Sequence, residues 1–285
     1  MINRVSLAFL LALLLQVIES QTESWNYING GLDWPSSSNS CGGTSQSPIA
    51  LDPTKATTTD EFYFDFEFNN RGVNTTIEIL PHISFKGEFS YLKFKDVNGT
   101  QLEFNGTKMH FHSPGEHYIN GRLYDCELHM VHQVKDDFKN LTSFRYAVVA
   151  VLFEAKENEE SNFIKKLDLN SKNSNRFVDL QRDFWDDFKQ LSSFMHYQGS
   201  LTTPACDETV YWFVFTSPLP MGIAQLTTMD RYFRGDRSFA NGRGNNRLVQ
   251  KLNGRTVTLY NYQQKVVANL IESAFFRSYL EDLLF

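Results

Sequence analysis

Three cysteines in 285 residues are too few to staple a scaffold built from disulfides. The chain also lacks the basic surplus of a nucleic-acid binder, since 27 Lys and Arg stand against 33 Asp and Glu for a formal net charge of -6. Charged residues make up only 21% and aromatic residues a generous 14%, which excludes a disordered chain. No internal repeat, charge block or long Gly/Ser linker divides residues 21–285. Beyond the first fifteen residues, no apolar run is long enough to cross a bilayer. What remains is a globular chain with a large core, of a size that a single β-rich domain can fill.

The first twenty residues stand apart. Met1-Ile2-Asn3-Arg4 carries one positive charge, Val5 to Leu15 is apolar except for Ser6, and small Ser20 closes a polar stretch. This order predicts a secretory leader over residues 1–20, followed by one domain over 21–285. A membrane anchor would need about 20 apolar residues, roughly twice what is present. The acidic Glu281 and Asp282 speak against a lipid-anchor signal. A leader implies maturation where disulfides form, and sequons at Asn74, Asn98, Asn105 and Asn140 agree with a secreted glycoprotein.

Period two dominates the rest. Phenylalanines at 62, 64, 66 and 68 alternate with Tyr63, Asp65 and Glu67, the pattern of a half-buried strand. Further strands are expected at 76–80, 91–94, 102–104, 108–112, 128–134, 145–153, 210–215 and 256–260. Asn98-Gly99, Asn105-Gly106, Asn120-Gly121 and Asn253-Gly254 read as turns between elements. Helical spacing joins Phe177, Leu180, Phe184, Phe188 and Leu191, and returns from Ile223 to Phe233. The expected fold is predominantly β with peripheral helices.

Five of the seven histidines fall between 110 and 132. His110 and His112 lie two apart in a strand and therefore share a face. If the following strand pairs with theirs as a hairpin, His129 faces them from the partner strand. Three neutral imidazoles converging on one point suit a catalytic zinc, with the fourth tetrahedral position left to water. His132 has the opposite parity and reads as structural. His117 follows Glu116 and could hold that carboxylate, while His82 and His196 are isolated unless the fold brings them to the cleft. Thr202 and Thr203, on the turn from Gly199 to Pro204, could orient a metal-bound hydroxide and its substrate. The His110-x-His112-x3-Glu116 spacing also partly imitates a cupin, in which the glutamate would join an iron or manganese site.

These motifs together resemble the α-class carbonic anhydrases. Trp25-Asn26-Tyr27, Trp34, Cys41-Gly42-Gly43 and Gln46-Ser47-Pro48-Ile49 are similar to that family's N-terminal pattern. Met109 to His117 and Glu127 to His132 resemble its zinc hairpin, closest to the plant, algal and bacterial branch. Gly199 to Pro204, then Val210 and Trp212, resemble its threonine loop and the strand after it. Asn245, Arg247 and Leu252-Asn253-Gly254-Arg255 continue the likeness.

The resemblance implies a twisted, mostly antiparallel sheet with Zn2+ at the base of a conical cleft, and the reversible hydration of CO2 to bicarbonate. His110, His112 and His129 would hold the metal. Thr202 would accept a hydrogen bond from the zinc-bound hydroxide and donate its own proton to Glu116. Thr203 would line the substrate position, and Val131, Val148, Leu201 and Trp212 would seat CO2. Glu127 would fix the His129 ring, with His117, Asn245 and Tyr27 as further supporting residues. His82 would be the proton shuttle. Cys41 and Cys206 would form the one disulfide, leaving Cys126 as a free thiol facing away from the ligands. Many members carry Gln two residues before the first zinc histidine, and Lys108 stands there with no acceptor to offer. The resemblance alone also admits a non-catalytic secreted relative that keeps the fold as a binding module.

Overall fold

The computed structural model describes residues 25–262, apart from 60–62, 70, 79–81, 172–174, 181 and 236. The expected leader therefore lies outside the described residues, as do the N-terminal end of the 61–68 strand and the last two positions of the 76–80 strand.

The period-two segments form a mixed, mostly antiparallel sheet of 13 strands. Its centre runs in the order Ser84–Lys86, Gln101–His112, Cys126–Val134, Tyr146–Lys156, Val210–Phe215 and Ser193–Gly199. Parallel pairing enters where Tyr146–Lys156 meets Val210–Phe215 and Leu219–Gly222. The alternation of each strand divides it between two faces. Tyr211, Phe213 and Phe215 enter a phenylalanine-rich core together with Val149, Val151 and Phe153. Val210, Trp212 and Val214 face the other way, with Val148, Ala150 and Leu152. Each fully buried side chain of this size contributes about 1.5–3 kcal/mol, so the phenylalanine face anchors the sheet.

Two expectations fail for clear reasons. Asn105-Gly106 is not a turn; the runs at 102–104 and 108–112 are one strand, Gln101–His112. Gly106 is there because a Cβ would lie 2.5 Å from the Ser90 carbonyl oxygen on the neighbouring strand. The register against Cys126–Val134 shifts between Val131 and His132, so Thr107 is the extra residue of a bulge. Side-chain parity flips there: Leu102 and Phe104 face the core before it, Met109 and Phe111 after it.

The second correction concerns Phe177, which does not belong to a helix with Phe184 and Phe188. It sits in the strand Asn175–Val178, paired with Val73–Glu78, and is 63% exposed. Only Arg182–Gln190 turns, with 3-10 bonding, and buries Phe184 and Phe188. The helix Ile223–Phe233 forms as expected and buries Met229 and Phe233.

Cys41 and Cys206 are bonded across 165 residues, with Cα atoms 4.9 Å apart, in a small cluster with Tyr27 and Trp34. Cys126 is free and buried in the phenylalanine core, its sulfur 3.4 Å from that of Met229.

Candidate active site

The hairpin pairs as its spacing predicts. His129 lies directly across from His110, and Glu127 from His112. Their rings converge, with centroids 5.1 Å apart for His110 and His112, 5.1 Å for His110 and His129, and 4.6 Å for His112 and His129. All three are buried.

Hydrogen bonds fix two of these rings and leave nitrogens over. His112 Nδ1 bonds the Asn245 carbonyl at 2.7 Å, and its Nε2 is buried without a partner. His129 Nε2 bonds Glu127 Oε1 at 2.7 Å, which leaves Nδ1 uncommitted. His110 Nδ1 is buried and unpartnered, as expected with Lys108 where an acceptor would be. An unsatisfied buried polar atom costs about 1–3 kcal/mol, and the one on His112 marks a place prepared for something else. Burial holds His110 and His112 well below the usual imidazole range and His129 below it, so all three stay neutral, the form that binds a metal.

Glu127 ties this cluster to the rest of the domain. Its Oε1 also takes His117 Nδ1 at 2.6 Å, and Oε2 accepts the Glu116 and His117 backbone N–H groups at 2.7 and 2.8 Å. Burial alone would raise its pKa, but its contacts with His117 and His129 outweigh it and hold the carboxyl well below its ordinary range. His117 thus holds Glu127 and not Glu116. Its chain direction aims Nδ1 along the hairpin, where the opposite strand supplies the nearer carboxylate. Its Nε2 continues to the Tyr197 hydroxyl at 2.7 Å, and that hydroxyl reaches Ser47 Oγ at 2.9 Å.

Glu116 is fully buried and accepts the Arg247 backbone N–H at 2.8 Å. Burial and the neighbouring Glu127 push it well above the ordinary carboxyl range, while Arg247 and the Thr202 hydroxyl pull it down. Glu116 Oε2 has no hydrogen bond of ordinary length and angle, so the Thr202 contact is a loose one. The threonine loop is held from behind. Ser47 and Ser200 exchange bonds of 2.9 and 3.1 Å, Trp212 Nε1 donates to the Ser200 carbonyl at 3.0 Å, and the disulfide secures the far end. Gly199 is required there, because a Cβ would come within 2.2 Å of Ser47 Oγ.

A cavity of about 290 Å3 opens above the histidines. Val131, Val148, Leu201 and Trp212 form its apolar wall, and Thr202 and Thr203 its lip, as the sequence predicts. His82 lines the opposite side, but not as a free group at the mouth. It is buried, its Nε2 lies 3.2 Å from the Tyr27 hydroxyl, and its ring sits 4.5 Å from His110. Burial, then the charges of His112 and Lys108, hold its pKa well below the usual imidazole range. Thr107, Gln133 and Tyr146 also line the cavity and were not anticipated. The alternation from Val131 to Gln133 and from Val148 to Tyr146 carried that information; the bulge that turns Thr107 inward did not show in the sequence.

Three sets of side chains bring possible ligand atoms within 4.8 Å of one another: His82, His110 and His112; His112, Glu116 and His129; and His117, Glu127 and His129. In the third set, Glu127 and His117 are already committed to hydrogen bonds. In the first, His82 gives a nitrogen to Tyr27. None of the three sets is His110, His112 and His129 together; what joins that trio is the convergence of their buried rings, 4.6 to 5.1 Å between centroids, beside an apolar hollow. The profile of the eukaryotic-type carbonic anhydrases matches residues 29–261. The chain belongs to that family.

Individual carbonic anhydrases agree with this. The chain is 28% identical to the carbonic anhydrase of Dunaliella salina over 91% of its own length, but covers only 47% of that longer protein. It is 30% identical to the carbonic anhydrase of Klebsiella pneumoniae, over 84% of this chain and 87% of that one. The α-carbonic anhydrase of Thermovibrio ammonificans, solved with the inhibitor sulfanilamide, superposes with a TM-score of 0.65 at 27% identity, covering 82% of this chain and 98% of that one.

Proposed function

We propose that the protein is a zinc carbonic anhydrase that interconverts CO2 and bicarbonate, with His110, His112 and His129 as the metal ligands. The observation that carries this reading is the convergence of three buried imidazoles, of which His112 keeps its Nε2 unpartnered and His129 is locked by Glu127 through its Nε2. Bound there, Zn2+ would lower the pKa of a water to about 7, the value general to zinc anhydrases, and so supply hydroxide at neutral pH.

The chain's own residues do the rest. The Asn245 carbonyl and Glu127 set the tautomer and direction of His112 and His129. Glu116, countered in its burial by Arg247, accepts the hydrogen bond of the Thr202 hydroxyl, which turns the Thr202 oxygen to accept a hydrogen bond itself and orient the nucleophile. Val131, Val148, Leu201 and Trp212 seat CO2 without binding it, and Thr203 lines the bicarbonate side. His110 has lost its acceptor to Lys108, and such a loss typically costs about 10–100-fold in metal affinity or activity, so a slow enzyme is expected. His82 is not assigned the shuttle. A group that relays protons must exchange them with solvent, and this imidazole is buried with one nitrogen on the Tyr27 hydroxyl.

The same reading makes residues 1–20 a cleaved leader and 21–285 one secreted domain. The disulfide suits an oxidising compartment, and Asn74, Asn98 and Asn140 are exposed enough to carry glycans, whereas Asn105 is half-buried within a strand. Among the described residues no helix is long and apolar enough to cross a membrane. The partners are the small molecules CO2 and bicarbonate, with no nucleic acid. Stopped-flow CO2 hydration, with zinc quantified on the same sample, tests the proposal. One zinc per chain and hydration blocked by an aromatic sulfonamide are expected. A folded, zinc-loaded protein with no hydration would overturn it in favour of a non-catalytic binding module.

A further inference from the structure

Lys108 replaces a neutral side chain of the family with a cation, and the fold points it into the cleft. It shares a strand face with His110, and both line the cavity. Across the sheet it meets Val131 on one side and Lys86 on the other. No carboxylate lies within ion-pair distance of it among the described residues. The acidic group whose field reaches it is Glu78, and that carboxylate is bound to Lys86 at 2.5 Å. Lys108 is half-buried and lines the same cavity as His82, His110 and His129, which puts it beside the histidine cluster. Its surroundings are neutral imidazoles, an apolar wall and the side chains of Gln133 and Tyr146, which can donate hydrogen bonds.

An unpaired cation in a partly desolvated hollow attracts an anion far more strongly than one in water. We propose that Lys108, with Gln133 and Tyr146, forms a seat for a small monovalent oxyanion at the wall of the cleft. Bicarbonate is the natural occupant, an identification that rests on the carbonic anhydrase reading above. Lysine acts as a point charge and imposes no fork geometry, so the seat selects for charge and size and accepts formate as well as bicarbonate. In the working enzyme this seat captures bicarbonate for dehydration and makes hydration sensitive to accumulated product.

The test is the binding of formate, then of bicarbonate, to the zinc-loaded protein by titration calorimetry at fixed ionic strength, using wild type, K108Q, K108M and K108R. K108Q and K108M are expected to weaken formate binding about tenfold, the size of one lost charge-assisted hydrogen bond, and K108R by less than about threefold. Formate binding undiminished in either neutral variant would overturn the proposal. CO2 hydration measured on the same wild-type sample separates the two readings. Hydration with Lys108-independent binding removes the seat alone, and Lys108-dependent binding without hydration keeps the seat and removes the enzyme.

Discussion

His129 and His132 lie on one strand, three residues apart and both buried, and they live in opposite chemistry. On the phenylalanine side, His132 has both nitrogens satisfied, by Ser90 Oγ at 2.8 Å and the Ala147 carbonyl at 3.1 Å. On the cleft side, His129 is held by one nitrogen and offers the other, beside two further imidazoles that each leave a nitrogen unpartnered. The two rings are equally buried, on opposite faces of one sheet. What separates a packing histidine from a candidate ligand is whether its second nitrogen is used, and strand alternation decides which face each ring joins.

Paired substitutions can break that comparison. His129→Ala removes the ligand with the strongest support, and zinc content and CO2 hydration are both expected to fall more than about 1,000-fold while circular dichroism stays native. His132→Ala should do the reverse. It strands Ser90 and the Ala147 carbonyl beside a new cavity and costs about 2–4 kcal/mol of stability, read as a lower urea midpoint, with zinc content unchanged. Hydration by a zinc-free His129→Ala protein would end the proposed chemistry. Zinc loss in a folded His132→Ala protein would erase the distinction between the faces.

Acid sharpens the same contrast. Burial lowers His132 and His196 from 6.5 to about 4. Each is neutral when folded and takes a proton more readily when unfolded, so its contribution is complete above pH 6.5 and is lost as the pH falls toward 4. Between pH 7 and pH 5 each removes about 2 kcal/mol. Metal-stripped protein, titrated with urea at both values, should therefore be weaker at pH 5, and His196→Gln should flatten the dependence by about its own 2 kcal/mol share. An unchanged slope in that variant would show that acid acts elsewhere.

Much of this was legible in the sequence because it depends on parity. His110 with His112 and the pairing of His129 across from them follow from a period of two, whereas the apolar wall from Val131 and Val148 was implied by the family resemblance. The helix Ile223–Phe233 followed from its own period. What escaped depended on contacts that no local pattern records. The Gly106 in mid-strand answers to the Ser90 carbonyl, His117 chooses Glu127 over Glu116 because of the opposing strand, and the Ser47, Tyr197 and Ser200 support joins segments about 150 residues apart. Phe177 has the helical spacing of its successors, yet an edge strand captures its backbone.

The smallest effect is expected at His82, which lines the cleft as the sequence suggests but is buried there against Tyr27. Its position beside His110 and Tyr27 places it within reach of the metal ligands, and that closeness is what weakens it as a relay: a second cation there meets Lys108 and any bound metal, with no carboxylate to offset them. His82→Ala should therefore slow hydration by less than about threefold, and equally in dilute and concentrated buffer, with proton transfer left to water and buffer. A loss of tenfold or more in dilute buffer, restored by added imidazole, would return the shuttle to His82. It would also require the ring to leave Tyr27 and swing toward the mouth during turnover, a movement that the zinc-loaded wild type would then have to show.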